Sequence, residues 1–365
     1  MNEKEKVIYD SIKENPFVSQ QEIAEKTGLS RSAVAGYISS LIKTGHLLGR
    51  AYILPNQKGI VCLGGANIDR KLHSDKPLSS RTTNEVETSH FPGGIARNIA
   101  ETLGRLGLET KLVSVVGDDA QSKWLMEHSQ PYVDTSFVQT LPNKLCGTYT
   151  AVIDQEGNTT MSFSDMSIYN EVDIGHIQKK WTPVRASDMV VVDTNFSAEV
   201  VKYIIRTCKQ EEIPVVLVPP ATGKIDRVPS NLDGVDWFIC HQEVAEILTG
   251  KIVEEESDAL EAARLLVEKG AKHVIIYRNH EPLVYHTYRG EVGLVIPPVT
   301  KVIDFTGSAD LLAAGVIYGL FNDLRLEECC KLGLACAALS HESRETVPHT
   351  LQKKKLQEKY LELFS

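Results

Sequence analysis

No run of apolar residues in this 365-residue chain approaches the length of a membrane span, and the opening Met-Asn-Glu-Lys-Glu-Lys is charged and polar. Neither a transmembrane helix nor a secretion signal is expected. Positive charge is also scarce. The net charge of −9 argues against non-specific attraction of the whole chain to nucleic acid. The seven cysteines (Cys62, Cys146, Cys208, Cys240, Cys329, Cys330 and Cys336) are odd in number, scattered and without C-x-x-C spacing. That excludes a disulfide framework or a zinc site as the organising device, and the expected setting is the cytoplasm with reduced thiols. Internal repeats and low-complexity stretches are absent as well.

What is present is a globular composition, 42% hydrophobic and 24% charged, with length for two or three domains and a large core. The first domain is expected over residues 1–57. Ile8 and Ile12, with Val7, give a first helix its apolar face, and Pro16 ends it. Ser19 and Glu22 have the spacing of a capping box, which starts a second helix. Gly28 makes a turn, and Ser30 caps a third helix carrying Val34, Ile38, Leu41 and Ile42 on its buried side. A small Ala24 four residues before Gly28, then Val34 six after it, is helix-turn-helix spacing. The alternation from Gly45 to Leu54 predicts a two-stranded wing. This segment resembles the winged helix-turn-helix of bacterial transcription regulators. The resemblance implies double-stranded DNA as partner, contacted by Arg31, Ser32 and Tyr37 on the exposed face of the third helix, with Ala35 and Ser39 beside them, and by Arg50 on the wing. Lys/Arg and Asp/Glu are nearly balanced here, so charge alone leaves open a protein-interaction or dimerisation domain. A homodimer would add phosphate contacts.

Pro55 to Lys58 reads as a linker, and the texture then changes. Apolar runs at Ile60–Leu63, Lys111–Val116, Met189–Val192, Val215–Val218, Trp237–Ile239 and Val274–Tyr277 alternate with amphipathic stretches at Ile95–Leu106, Val200–Gln210, Ala259–Lys269 and Leu326–Leu339. This predicts an α/β domain over 58–365 with a mostly parallel sheet covered by helices on both faces. More polar, alternating segments at Thr83–Ser89 and Cys146–Ile153, the latter paired with Thr159–Phe163 across Gly157-Asn158, predict a small antiparallel β lid.

Three turns carry the candidate chemistry. Gly64-Gly65-Ala66-Asn67-Ile68-Asp69 ends the first strand, where parallel sheets gather ligands. Asn67 and Asp69 offer hydrogen bonds to a polyhydroxylated molecule. Gly93 and Gly94 open a helix with Asn98 in its first turn. Val302 to Asp310 ends an apolar run in a turn, Gly307-Ser308-Ala309, at the start of a buried helix. Free N–H groups there form an anion hole beside Asp310, a carboxylate able to accept a proton. An anion cradle beside a base is what phosphoryl transfer to a hydroxyl needs.

From Gly59 onward the chain resembles the ribokinase-like (PfkB) family of sugar and nucleoside kinases. Gly93–Asn98 is similar to the family's first signature. Asp304-Phe-Thr-Gly-Ser-Ala-Asp310 is similar to its second, usually Asp-Thr-Thr-Gly-Ala-Gly-Asp. The resemblance implies ATP and Mg²⁺ as cofactors, Asp310 as catalytic base, Gly307, Ser308 and Ala309 as the anion hole, and Asn67, Asp69, Gly93, Gly94 and Asn98 as substrate contacts. Within the family, the segments 64–69, 91–100, 164–168 and 193–197 resemble those of bacterial pseudouridine kinases. That implies phosphorylation of a nucleoside 5′-hydroxyl, with Asp165 and Asn195 as further base or ribose contacts. No metal ligands can be assigned.

The departures lie on the nucleotide side. Ala309 replaces a glycine, so its Cβ is expected to restrict the backbone and crowd a phosphate. His241-Gln242-Glu243-Val244 stands where the family has Asn-x-x-Glu. Arg278-Asn279-His280-Glu281-Pro282 stands in place of a glycine-containing loop, and Val218-Pro219-Pro220 where Asp-Pro is common. Two readings follow: a nucleoside kinase carrying a DNA-binding domain, or a transcription regulator whose kinase-like domain senses a nucleoside or nucleotide with little catalysis.

Overall fold

The computed structural model describes residues 1–16, 18–47, 49, 59–156, 159–221, 223–278, 281–300 and 305–364. The chain opens with α1 (Glu3–Glu14), α2 (Gln20–Thr27) and α3 (Arg31–Lys43). Next come β1 (Gly59–Leu63), β2 (Asn67–His73), β3 (Glu87–Gly93), α4 (Ile95–Arg105), β4 (Glu109–Val113) and β5 (Val115–Gly117). These lead to α5 (Ala120–Ser129), β6 (Gln139–Leu141), β7 (Gly147–Ile153), β8 (Thr159–Asp165), α6 (Ile174–Lys179) and α7 (Trp181–Arg185). Then follow β9 (Met189–Val192), α8 (Ala198–Gln210), β10 (Val215–Leu217), β11 (Trp237–His241), α9 (Gln242–Thr249) and α10 (Glu256–Glu268). The chain closes with β12 (His273–Tyr277), β13 (Leu283–Thr287), β14 (Val292–Val295), α11 (Ser308–Phe321), α12 (Leu326–His341) and α13 (Lys353–Phe364).

Eight strands form the main sheet in the order β14-β13-β12-β11-β10-β9-β1-β4. The pairs from β4 to β12 are parallel, and β13 and β14 close one edge antiparallel. Central strands buried on both faces read as continuous apolar runs, which is why β1 and β9 were legible as such. Successive side chains of those strands face opposite sides of the sheet. Ile60, Cys62, Val191 and Ile275 pack with α4, α11 and α12, whereas Val61, Leu63, Val190, Val192 and Val274 pack with α8 and α10. The seven cysteines are all buried and unpaired, filling these layers as small apolar groups.

The lid is a four-stranded sheet in the order β3-β2-β7-β8, and it is mixed rather than antiparallel as expected, because β2 and β7 pair in parallel. Other expectations shift here too. The predicted strand Thr83–Ser89 begins only at Glu87 and runs on to Gly93, and β2, read as a loop, is its main partner. Asn67 and Asp69 therefore belong to the lid. Their strand escaped notice because Asn67-Ile-Asp-Arg-Lys is polar by composition, although the structure buries most of it. β8 is exposed along its whole length. The predicted run Lys111–Val116 divides at Ser114 into β4 and β5, and β5 leaves the main sheet to pair with β6.

The three N-terminal helices enclose their own core of Ile8, Ile12, Ile23, Val34, Ile38, Leu41 and Leu47. The Ser19–Glu22 capping box and the Ser30 cap are formed, and Gly28 takes the left-handed conformation. Val7 instead faces solvent, 52% exposed, because the buried face runs through Ile8 and Ile12. The predicted wing beyond Gly49, with Arg50, the linker Pro55–Lys58, the turn Gly157-Asn158, and Asn279, His280 and Val302–Asp304 lie outside the described residues. The turn after α3 approaches α7, where a side chain at Gly45 would meet the Thr182 carbonyl at 3.2 Å.

Ile38 is 3% exposed where the helices meet. Ile38→Ala is expected to destabilise the N-terminal domain by about 2–5 kcal/mol, measured by denaturant unfolding of the full chain. A loss within error of zero would contradict this packing.

Candidate active site

The turn before α11 is shaped by Gly307, whose φ of 83° is left-handed. A Cβ there would lie 2.5 Å from Thr346 Cγ2, so only glycine fits. The first intrahelical bond runs from the Leu311 N–H to the Gly307 carbonyl at 3.0 Å, and the Ser308 N–H is taken by the Phe305 carbonyl at 3.1 Å. The amides of Ala309 and Asp310 precede that first bond at the positive end of the helix, the arrangement that holds an anion. The expected backbone restriction at Ala309 is absent. The residue lies within α11, and the left-handed conformation belongs to Gly307 alone in this turn.

Asp310 sits in the first turn of α11 and accepts a hydrogen bond from Asn98 Nδ2 at 2.7 Å. Burial pushes its carboxyl up to about 7. The Asn98 bond and Arg97 oppose that rise, while Asp69 and Asp193 add to it. The side chain keeps partial contact with solvent, the access a substrate hydroxyl needs. Asp69 is more deeply enclosed. Its Oδ1 accepts from Asn67 Nδ2 at 2.8 Å and its Oδ2 from Thr346 Oγ1 at 3.3 Å. Burial lifts it to about 6, against Arg97, Asn67 and Lys71. Its carboxylate lies directly over Gly93, where a Cβ would fall 2.3 Å from Oδ1. Thr346 thus touches both the Asp69 carboxylate and the Gly307 turn. The structure brings Asn67, Asp69, Gly93, Asn98, Gly307 and Asp310 around one cleft. Gly94 caps the N-terminus of α4 beside them.

Asn195 lines the next wall, with its neighbour Asp193 as the organising group. Asp193 Oδ2 accepts from the Gly65 and Ala96 N–H groups at 2.8 and 3.1 Å, and its Oδ1 from the Asn195 N–H at 2.7 Å. Sequence reasoning missed it, although a lone charge at the carboxyl end of an apolar strand was available as a signal. Lys224 was also missed. Its Nζ donates to Asn195 Oδ1 at 2.7 Å and stands 5.7 Å from the Tyr169 ring centroid. Burial lowers its pKa to about 8, with Asp193 opposing and Arg227 assisting. Its backbone is left-handed at φ 52°, a departure no sequence pattern announces. Asp165 stands apart: it is exposed at the end of β8 and binds the Ser167 N–H and Oγ at 3.1 and 2.7 Å. In the N-terminal domain Arg31 and Ser32 are exposed on α3, whereas Tyr37 is half-buried against the helical core.

Across α11 lies a mostly apolar cavity of about 680 Å³, bordered by His241, Glu243, Tyr277, Arg278, Ala309 and His341. His241, Glu243 and Arg278, from two of the altered segments, border this space, whereas Val218-Pro219-Pro220 is not among its lining residues. Ser308 Oγ and His341 Nε2 are 2.8 Å apart at its edge.

The fold is a mostly parallel α/β sheet with a smaller sheet beside it, a buried carboxylate at a helix N-terminus and a cavity next to that turn. Residues 57–353 match the pfkB family carbohydrate kinase model, and the chain belongs to that family. Residues 1–45 match a winged helix-turn-helix DNA-binding model. The sugar kinase YeiI of Escherichia coli strain K12, itself uncharacterized, is 28% identical over 94% of this chain and 94% of its own length. The pseudouridine kinase of the same organism is 25% identical, covering 77% of this chain and 90% of that one. A guanosine-inosine kinase of Exiguobacterium acetylicum is 28% identical, covering 76% and 93%. The Arabidopsis thaliana ribokinase structure with ribose and ATP shares the fold, with TM-score 0.73, 18% identity, and 83% of this chain and 98% of that one covered.

Asp310 has a folded pKa above the roughly 3.9 of an unfolded Asp, so the folded state binds protons more tightly between those values. Its contribution to stability is fully present below about pH 4 and is lost as pH rises through about 7. Asp310→Asn is expected to raise Tm relative to wild type at pH 8, with the difference vanishing near pH 4. A difference that grows toward low pH would contradict the assignment.

Proposed function

We propose that the chain is an ATP-dependent nucleoside kinase acting on the 5′-hydroxyl of pseudouridine, joined to a DNA-binding domain. The observation that carries this reading is Asp310 held by Asn98 at the N-terminus of α11, with the polar cluster of Asn67 and Asp69 nearby and a roomy, mostly apolar cavity beside the turn. Asn67 and Asp69 bind the ribose hydroxyls. Asp310 accepts the proton of the attacking hydroxyl. The amides of Ala309 and Asp310 face the charge that develops on the phosphoryl group. The nucleoside class has further support from the nucleoside kinases among the relatives, and pseudouridine from segments 64–69, 91–100, 164–168 and 193–197.

ATP supplies the phosphoryl group, and the cavity fits a base and ribose in size and lining. Arg278 is 5% exposed there, and its Nη1 has no hydrogen-bond partner among the described residues, so a buried donor is available. Among the described residues, no three His, Cys, Asp or Glu side chains gather as a metal cage. Mg²⁺ would accordingly be held chiefly by phosphate oxygens and water, its usual manner in kinases.

A second reading, regulation by ligand sensing, has support from the approach of Gly45 to Thr182 in α7. That contact offers a route from the kinase domain to the helix-turn-helix. Both activities are compatible in one chain.

Full-length protein with ATP and Mg²⁺ is expected to form ADP with pseudouridine at higher kcat/KM than with uridine, guanosine, inosine or ribose. Asp310→Asn should lower that rate by about 10²–10⁴-fold. Preference for guanosine or inosine would remove pseudouridine, and no turnover with any of them would remove the kinase reading. For the N-terminal domain, Arg31→Ala should weaken duplex DNA binding and reduce the salt slope by about one. An unchanged slope would rule out a phosphate contact by Arg31.

A further inference from the structure

Arg97 is the largest fully buried side chain among the described residues, at 0% exposure in α4. Four hydrogen bonds hold its guanidinium. Nε donates to the Gly93 carbonyl at 2.9 Å and Nη2 to the Pro92 carbonyl at 3.1 Å. Nη2 also donates to Asn98 Oδ1, and Nη1 to Glu101 Oε2. Glu101 Oε1 in turn accepts from Arg105 Nε at 2.8 Å, and Arg105 Nη1 donates to the His349 carbonyl at 2.9 Å. A buried ion pair is a poor way to stabilise a helix, because desolvation offsets most of the attraction. The placement calls for another role.

We propose that Arg97 is a positioning residue for Asp310: by claiming the oxygen of the Asn98 amide, it turns the amide NH₂ toward the carboxylate and holds Asp310 in its proton-accepting form. This rests on the reading of Asp310 as the base. A guanidinium can only donate, so it selects the Asn98 oxygen. The other half of the amide is then an NH₂, which meets Asp310 Oδ2 at 2.7 Å. An NH₂ supports a carboxylate and offers nothing to a carboxylic acid proton. The opposing groups are close. Asp69 from β2 and Asp193 after β9 both disfavour a charged Asp310, and Tyr277 from β12 also lies within its electrostatic reach. Arg97 is the cation among these neighbours. Without it, the Asn98 amide is free to turn over and present its oxygen to a protonated Asp310.

The test is a carboxyl titration by NMR of the full chain labelled with ¹³C-aspartate, the Asp310 signal being assigned by its loss in Asp310→Asn. In Arg97→Met the Asp310 midpoint is expected to rise by about one to two pH units. Arg97→Lys keeps the charge but lacks the planar fork, so a smaller rise is expected. Glu101→Gln loosens the fork with little change of shape and should also raise the midpoint, which keeps the test decisive if Arg97→Met fails to fold. Unmoved midpoints in folded Arg97→Lys and Glu101→Gln would overturn the proposal. The acid limb of kcat/KM should move with the midpoint, whereas a residue that merely clamps the Gly93 turn would lower kcat/KM evenly across pH. The titration needs no turnover. A shifted midpoint without activity would leave the proposal and remove the kinase reading. Activity with an unmoved midpoint would do the reverse.

Discussion

The candidate site depends on one buried carboxylate that was not foreseen. Asp193 accepts three backbone N–H groups, from Gly65 after β1, Ala96 at the start of α4 and Asn195 after β9. Each of those amides would otherwise be an unpaired donor at the end of a strand or the start of a helix. One side chain therefore joins three segments far apart in sequence. The Gly93 turn, Asn98 and the wall at Asn195 all take their positions from that join. Burial raises the carboxyl's proton affinity, and the three donors counter it, so the geometry and the charge state of the join support each other.

From this centre the asymmetry of the site is intelligible. One side is dense in polar groups: Asn67 and Thr346 bond Asp69, and Asn98 bonds Asp310 beside the glycine turn. The other side is a cavity with few polar groups. Arg278, which stands where the family has a glycine-containing loop, borders that cavity. Ala309 is accommodated because the helix has already begun by that residue, and the left-handed conformation falls two residues earlier, on Gly307.

Most of the scaffold was legible. Apolar runs gave the central strands because both faces are buried, and capping spacing gave the N-terminal helices because Ser19, Glu22 and Ser30 act locally. Asp310 and Asn98 were legible from a helix start with the right neighbours. Asp193, Lys224 and Thr346 were not, because their roles come from partners that lie 29 to 277 residues away in the chain. β2 was missed because its buried positions Asn67, Asp69 and Lys71 carry polar side chains, which leaves no apolar alternation to read. Asp165 was legible as a polar group in a distinctive segment, yet its carboxylate is occupied by the adjacent Ser167.

Asn67 and Asp69 are the first and third residues of β2, a strand of the lid paired with β3 on one side and β7 on the other. The two side chains proposed to meet the substrate are therefore part of the small sheet itself. A ligand that engaged them would take hold of that sheet, so occupancy and the sheet's position would become a single mechanical variable. A lid held elsewhere would carry both groups away from Asp310, and the polar half of the cleft would exist only while the sheet is seated.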